Sequence, residues 1–328
     1  MTPTGRYGEE DHESYERPRR HTRPRTKERP TYDDAVEGRV MTVDRGRYTC
    51  LVDGVTVTAM KSRPLGRKGV VVGDRVRIVG DVTGDDGSLA RIVRVAPRDT
   101  SLRRTADDDD PVERIVVANA EQLIIVTALA DPEPRTGFVD RCLVAAYAGG
   151  LAPVLCLTKA DLAAPTGLLS TYEPLGVPFV VTQRGAEVET LRERLRDRTS
   201  VLIGHSGVGK STLVNALVPT AMRQIGVVNA VTGRGRHTST SALLMSLPGG
   251  GWIVDTPGIR SFGLAHVDPD QLIEAFPDLH ELTRDCPRGC THGENEPECG
   301  LSEATGQQAE RVGSFRRLLA SREAGESY

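Results

Sequence analysis

The chain has 328 residues, 38% apolar side chains with 34 glycines beside them, and a formal net charge of −3. That length exceeds one typical core and implies two or three domains. No apolar run approaches the ~18 residues of a membrane span, and the charged, polar start is no signal peptide, so a soluble cytoplasmic protein is expected and membrane classes are excluded.

Charge is unevenly spread. Residues 1–98 hold 20 Lys and Arg against 15 Asp and Glu, whereas residues 99–328 hold 22 against 30. The N-terminal third is therefore the part suited to a polyanion. Of six cysteines, three fall between Cys286 and Cys299. Such clustering in a cytoplasmic chain points to a metal, not to disulfides.

Residues 1–35 are rich in Arg, Glu, Pro and His and nearly free of aliphatic side chains, so they are expected to form a disordered basic tail. Within it, Arg17 to Arg29 carries seven Lys and Arg and one Glu. This run is either an arm that touches RNA phosphates or a solubilising tail. Residues 36–98 hold five short β-rich runs separated by turn signals such as Asp53-Gly54 and Gly73-Asp74, which predicts a small barrel of OB type. Arg63, Arg67 and Lys68 share one of its loops, and Arg75, Arg77, Arg91 and Arg94 alternate with apolar residues on its strands. The barrel is read either as a nucleic-acid module or as a plain scaffold. With Tyr48 its only aromatic, backbone and shape contacts are favoured over base stacking.

Residues 99–111 read as a linker, and from 112 to 264 strand and helix patterns alternate, which predicts a mostly parallel α/β sheet. RIVVANA, QLIIVTAL, APVLCLT and PFVVT read as strands, and GFVDRCLVAAYAGG as a helix burying positions 138, 139, 142, 143 and 146. A further helix, EVETLRERLRDR, turns Val188, Leu191 and Leu195 inward.

Ser200 to Leu217 then reads as strand, glycine-rich turn and helix, with GHSGVGKS fitting G-x-x-x-x-G-K-[ST]. Polyphosphate is gripped by backbone N–H groups converging on a small volume. Gly204, Gly207 and Gly209 suit that by reaching positive φ without a side chain in the way, while His205, Ser206 and Val208 complete the loop. The helix start adds its positive end. Lys210 is assigned to the β and γ phosphates and Ser211 to Mg²⁺, and Thr212 is counted among the GTP-binding residues.

TKAD follows the strand APVLCL directly. Asp161 can accept hydrogen bonds from both N1–H and the exocyclic amine of guanine, a pair that adenine lacks. Lys159 can lie over the base, and Thr158 opens the motif. Taken alone, the tetrapeptide also fits an ordinary strand exit. Asp255, ending the strand WIV, is assigned to Mg²⁺ and Gly258 to the γ phosphate. In the polar run Thr232 to Thr240, Thr238 is the candidate for a second hydroxyl on Mg²⁺. The guanine motif precedes the phosphate loop, the reverse of most GTPases, so the domain is expected to be circularly permuted. The chain then leaves it directly after DTPG.

Residues 265–328 are expected to form a helical zinc-binding domain. Cys286, Cys290, His292 and Cys299 give C-x3-C-x-H-x6-C, a closed Cys₃His set suited to structural zinc. A helix capped by Asp268 with Pro269 in its first turn precedes it. The helix QQAERVGSFRRLLASRE follows, with Arg311, Arg316, Arg317 and Arg322 available to a polyanion. Cys50, Cys142 and Cys156, in apolar runs, are expected in the core.

An OB-type barrel, motifs in the order TKAD, GHSGVGKS, GRGRHTST, DTPG, and a terminal Cys₃His knot together resemble the small ribosomal subunit biogenesis GTPases of the RsgA/YjeQ type, over about residues 36–320. The resemblance implies a GTPase that binds the small ribosomal subunit and its rRNA late in maturation, with hydrolysis stimulated by the subunit and zinc supporting the C-terminal domain. A monomer is expected. The family's guanine motif usually begins with Asn, where this chain has Thr158, and the zinc spacing differs by a residue on each side of CTH. Ile259 stands where many GTPases carry a water-positioning Gln. His237 is therefore read either as the group that orders the attacking water or as a polar loop residue. The competing classes are a P-loop ATPase or kinase, and an RNA-binding protein with a structural nucleotide.

Overall fold

The computed structural model describes residues 31–66, 69–105, 113–186, 188–219, 242–256, 262, 264 and 267–323. The expected tail at 1–30, the loop residues Arg67 and Lys68, most of the run after the phosphate loop, and His237, Thr238 and Gly258 lie outside the described residues. The elements below all fall within the unit Asp34–Tyr328.

The barrel strands are β1 (Val36–Asp44), β2 (Arg47–Val52), β3 (Val55–Lys61), β4 (Arg75–Gly80) and β5 (Ala90–Val95). Turn chemistry explains the first two hairpins: Arg45 and Gly46 have φ of 45° and 82°, and Asp53 and Gly54 have φ of 47° and 83°. Positive φ at both central residues matches the two-residue turn whose twist suits flanking strands. The strands run β1-β2-β3-β5-β4, with β3 and β5 parallel, and pairing of β1 with β4 from Val36↔Ile78 to Arg39↔Arg75 closes the ring. A register shift in β1 between Val40 and Thr42 lets that strand turn from one partner to the next. Val40, Cys50, Val57, Ile78 and Ile92 fill the interior, while Arg75, Arg77, Arg91 and Arg94 point outward.

The second layer is a sheet of β8 (Gln122–Ala128), β9 (Ala152–Thr158), β10 (Phe179–Val181), β11 (Thr199–Ile203), β12 (Leu243–Ser246) and β13 (Trp252–Asp255). Its order is β10-β9-β8-β11-β13-β12, parallel except for β12. Every residue of β8 and β11 is buried, as expected for strands covered on both faces. On one face lie α1 (Thr136–Ala148) and α2 (Thr166–Tyr172); on the other lie α3 (Glu189–Leu195) and α4 (Lys210–Leu217). Cys50, Cys142 and Cys156 are all buried, as the apolar runs predicted.

Two expectations are corrected. Ser101–Thr105, inside the expected linker, is strand β6, and it pairs antiparallel with β7 (Glu113–Ala118) in a separate ribbon. Leu102 is 1% exposed and registers with Val117, so the ribbon buries the one apolar residue of a charged run. The ribbon touches the barrel through the Val72↔Val117 bridge. RIVVANA accordingly joins this ribbon instead of the main sheet.

The barrel and the sheet are continuous. Thr42 of β1 pairs with Leu243 of β12. Nearby, Arg39 donates from Nη2 to Thr199 Oγ1 at 2.8 Å, and its guanidinium lies 5.4 Å from the ring centroid of Trp252. Thr199 and Trp252 are the first residues of β11 and β13.

The C-terminal part contains α5 (Pro269–Ile273), α6 (Pro277–His280) and α7 (Gln307–Glu323). The Asp268 side chain accepts the Asp270 N–H at 3.0 Å, as the sequence pattern predicted. The arginines of α7, expected to await a polyanion, are engaged within the protein. Arg311 pairs with Asp278 at 2.9 Å, and Arg317 with buried Asp140 of α1 at 3.2 Å. Arg316 donates to the His292 carbonyl at 3.3 Å, and Arg322 to that of Val267 at 2.7 Å. They clamp α7 to α1, to α6 and to the cysteine loop.

Candidate functional site

Because β8, β9, β11 and β13 are parallel neighbours, their C-terminal ends meet on one edge of the sheet whatever their order in the chain. Registers Ala128↔Thr158, Ile125↔Ile203 and Leu202↔Asp255 set those ends side by side. The edge therefore gathers the phosphate loop, Thr158 to Asp161, and Asp255.

The loop's glycines are required by space and by backbone. A Cβ on Gly204 would collide with the Val126 carbonyl oxygen. Gly207 and Gly209 have φ of 83° and 94°, a region closed to most side chains. Lys210 opens α4, which Leu213, Val214 and Leu217 anchor in the core, while Ser206, Ser211 and Thr212 remain exposed. His205, sequence-read only as part of the loop, packs on Phe138 of α1 with ring centroids 4.0 Å apart.

Thr158 is buried, and its hydroxyl donates to the Val208 carbonyl at 2.6 Å. Where the family's motif usually has Asn, the Thr158 hydroxyl thus bonds the backbone of the phosphate loop. Lys159 has φ of 58° and donates from Nζ to the Asp131 carbonyl. Asp161 is exposed and open to a ligand.

Asp255 carries the electrostatic strain of the edge. Burial pushes its carboxyl above the ordinary range, opposed by nearby Lys210 and by the Thr256 N–H. Its Oδ1 is buried without a hydrogen-bond partner among the described residues. An acceptor oxygen so placed fits a cation, and Mg²⁺ prefers such hard oxygen ligands.

A second centre lies in the C-terminal part. The ligand atoms of Cys286, Cys290, His292 and Cys299 all lie within 4.8 Å of one another, a set able to hold a metal ion. His292 Nδ1 faces Cys290 Sγ at 3.4 Å and Cys299 Sγ at 3.7 Å. Gly300 N–H donates to Cys286 Sγ at 3.3 Å. His292 and Cys299 are each 3% exposed. Asp270 and Arg316, which contact His292, gave no ligand signal in the sequence, since neither falls in a ligand pattern.

A parallel sheet whose edge presents a phosphate loop, a guanine motif that precedes it in the chain, and an aspartate on the neighbouring strand defines a circularly permuted P-loop GTPase. A family model described as RsgA GTPase matches residues 95–265. The Small ribosomal subunit biogenesis GTPase RsgA of Ectopseudomonas mendocina (strain ymp) is 40% identical over 264 residues, covering 77% of this chain and 75% of that protein. Its counterpart from Azotobacter vinelandii (strain DJ / ATCC BAA-1303) is 39% identical over 264 residues, with 77% and 75% covered. The crystal structure of YjeQ from Thermotoga maritima superposes with a TM-score of 0.63 at 28% identity, covering 87% of this chain and 99% of that one. YloQ, a circularly permuted GTPase, gives 0.62 at 22% identity, with 91% and 100% covered, and shows the same fold. The chain belongs to the RsgA GTPase family, and it is a GTP hydrolase with a barrel before the permuted domain. Among the described residues no helix is long and apolar enough to cross a membrane.

Proposed function

We propose that this protein binds the small ribosomal subunit through its rRNA during late maturation and hydrolyses GTP to GDP and phosphate when the subunit stimulates it. The relatives' name, small ribosomal subunit biogenesis GTPase, supports the partner. The observation that carries the chemistry is the meeting of Gly204–Thr212, Thr158–Asp161 and Asp255 at one sheet edge.

In this reading the backbone from Gly204 to Gly209 holds the α and β phosphates, and Lys210 reaches the β and γ phosphates. Asp161 accepts from the guanine edge, Lys159 covers the base, and Thr158 acts through the Val208 carbonyl. Ser211, Asp255 and Thr238 would hold Mg²⁺, which supplies neutralisation of charge on the β and γ oxygens. Gly258 is assigned to the γ phosphate. His237, or a group from the subunit, orders the water that attacks the γ phosphorus as the bond to the β-bridging oxygen breaks. Cys286, Cys290, His292 and Cys299 bind a structural zinc ion, consistent with a closed four-ligand set. The outer arginines of the barrel meet rRNA phosphates. The protein works as a cytoplasmic monomer.

Phosphate release with and without small subunits, alongside co-sedimentation in GTP-analogue and GDP states, tests this. Turnover is expected to rise with subunits, and retention to differ between nucleotides. Equal turnover in both arms would remove the subunit-stimulated reading.

A further inference from the structure

We infer that Asp270 is a positioning residue of the metal centre, selecting which nitrogen of His292 faces the metal. The inference rests on the reading of Cys286, Cys290, His292 and Cys299 as ligands, and it names a group outside that set.

The two ring nitrogens of His292 face different partners. Nδ1 lies 3.4 Å from Cys290 Sγ and 3.7 Å from Cys299 Sγ, while Nε2 lies 3.2 Å from Asp270 Oδ1. A neutral imidazole has one N–H and one lone pair, and a carboxylate only accepts. The proton therefore sits on Nε2, and the lone pair of Nδ1 points at the sulfurs. Loss of a carboxylate that orients a ligating histidine typically lowers metal affinity about 10–100-fold.

Placement makes Asp270 suited to this and to little else. Its side chain is 77% exposed whereas that of His292 is 4% exposed, so the carboxylate contributes almost nothing to core packing. Its own N–H is held by Asp268 Oδ1 at 3.0 Å, which fixes the backbone from which the carboxylate reaches. The opposite side of the histidine is fixed as well, because Arg316 Nε donates to the His292 carbonyl at 3.3 Å. The histidine, whose φ is 57°, is thus held at its backbone by α7 and at its ring by α5. Among the described residues α5 is the first helix after the strand that ends at Asp255, so this hydrogen bond ties the chain that follows the nucleotide edge to the metal loop.

The test is Zn²⁺ titration of the full chain against a chromophoric chelator, for the wild type, Asp270→Ala and Asp270→Asn, with Co²⁺ spectra to read the ligand set. The wild type should bind one ion. Asp270→Ala should bind about 10–100-fold more weakly while keeping its thiolate-to-cobalt bands and circular dichroism. Asp270→Asn, which retains an acceptor oxygen, should fall between them. If Asp270→Ala binds Zn²⁺ within about twofold of a tight wild type, the positioning role is wrong and the metal reading stands. If the wild type binds neither Zn²⁺ nor Co²⁺, the metal reading fails and takes this inference with it.

Discussion

The barrel and the parallel sheet use β-strands in opposite ways. In β4 of the barrel, exposed and buried residues alternate through Arg75, Val76, Arg77 and Ile78, so half of that strand remains a surface. In β8 and β11 every residue is buried, so the sheet can act only where its strands end. A barrel wall spreads contacts along a face, with each one modest and replaceable. A strand edge concentrates them in a small volume, where single residues decide the outcome.

Substitutions at the edge should therefore be severe and those on the wall mild. Lys210→Ala is expected to lower GTP turnover about 10²–10³-fold, the loss typical of one preorganised charge-stabilising donor, with circular dichroism unchanged. Asp161→Asn should weaken GTP about 100-fold and abolish preference over ATP in competition, since hydrogen bonds to a charged acceptor are among the stronger ones. Retained preference would mean that the edge does not read the base.

Between these extremes lies the covered face of the sheet. Arg317→Ala leaves Asp140 buried without its cation, and because the guanidinium is 35% exposed the expected loss is about 2 kcal/mol, below that of a fully buried pair. Burial holds the Asp140 carboxyl above its ordinary range, with Arg317 opposing. A carboxyl raised on folding favours the folded state most at acid pH, and that contribution is lost as pH rises through its folded value. The variant should therefore lose more stability at neutral than at acid pH, read by denaturant melts at both. Smallest of all, Arg91→Ala on the barrel wall should shift stability by no more than about 0.5 kcal/mol. If Arg91 meets a phosphate, the salt dependence of RNA binding should flatten by about one unit of slope.

What the sequence disclosed follows the same division. Alternation and Asp53-Gly54 announced the barrel because turn chemistry and pleat are local. The glycines of the phosphate loop and the Cys286-to-His292 spacing were legible for the same reason, and the permutation followed from motif order. Partners distant in the chain were not legible. Arg317 looked like a free cation since nothing near it in sequence points to Asp140, 177 residues away. Strand β6 was hidden because one buried leucine outweighed its charged neighbours, and α2 because Gly167 and the flanking prolines mask seven helical residues.

The contact between Arg39 and Trp252 has a practical consequence. Trp252 is the sole tryptophan of the chain, and it stands where barrel and sheet join, at the opposite end of β13 from Asp255. Its emission is a built-in optical gauge of that junction, so any change where barrel meets sheet can be followed in the unlabelled protein.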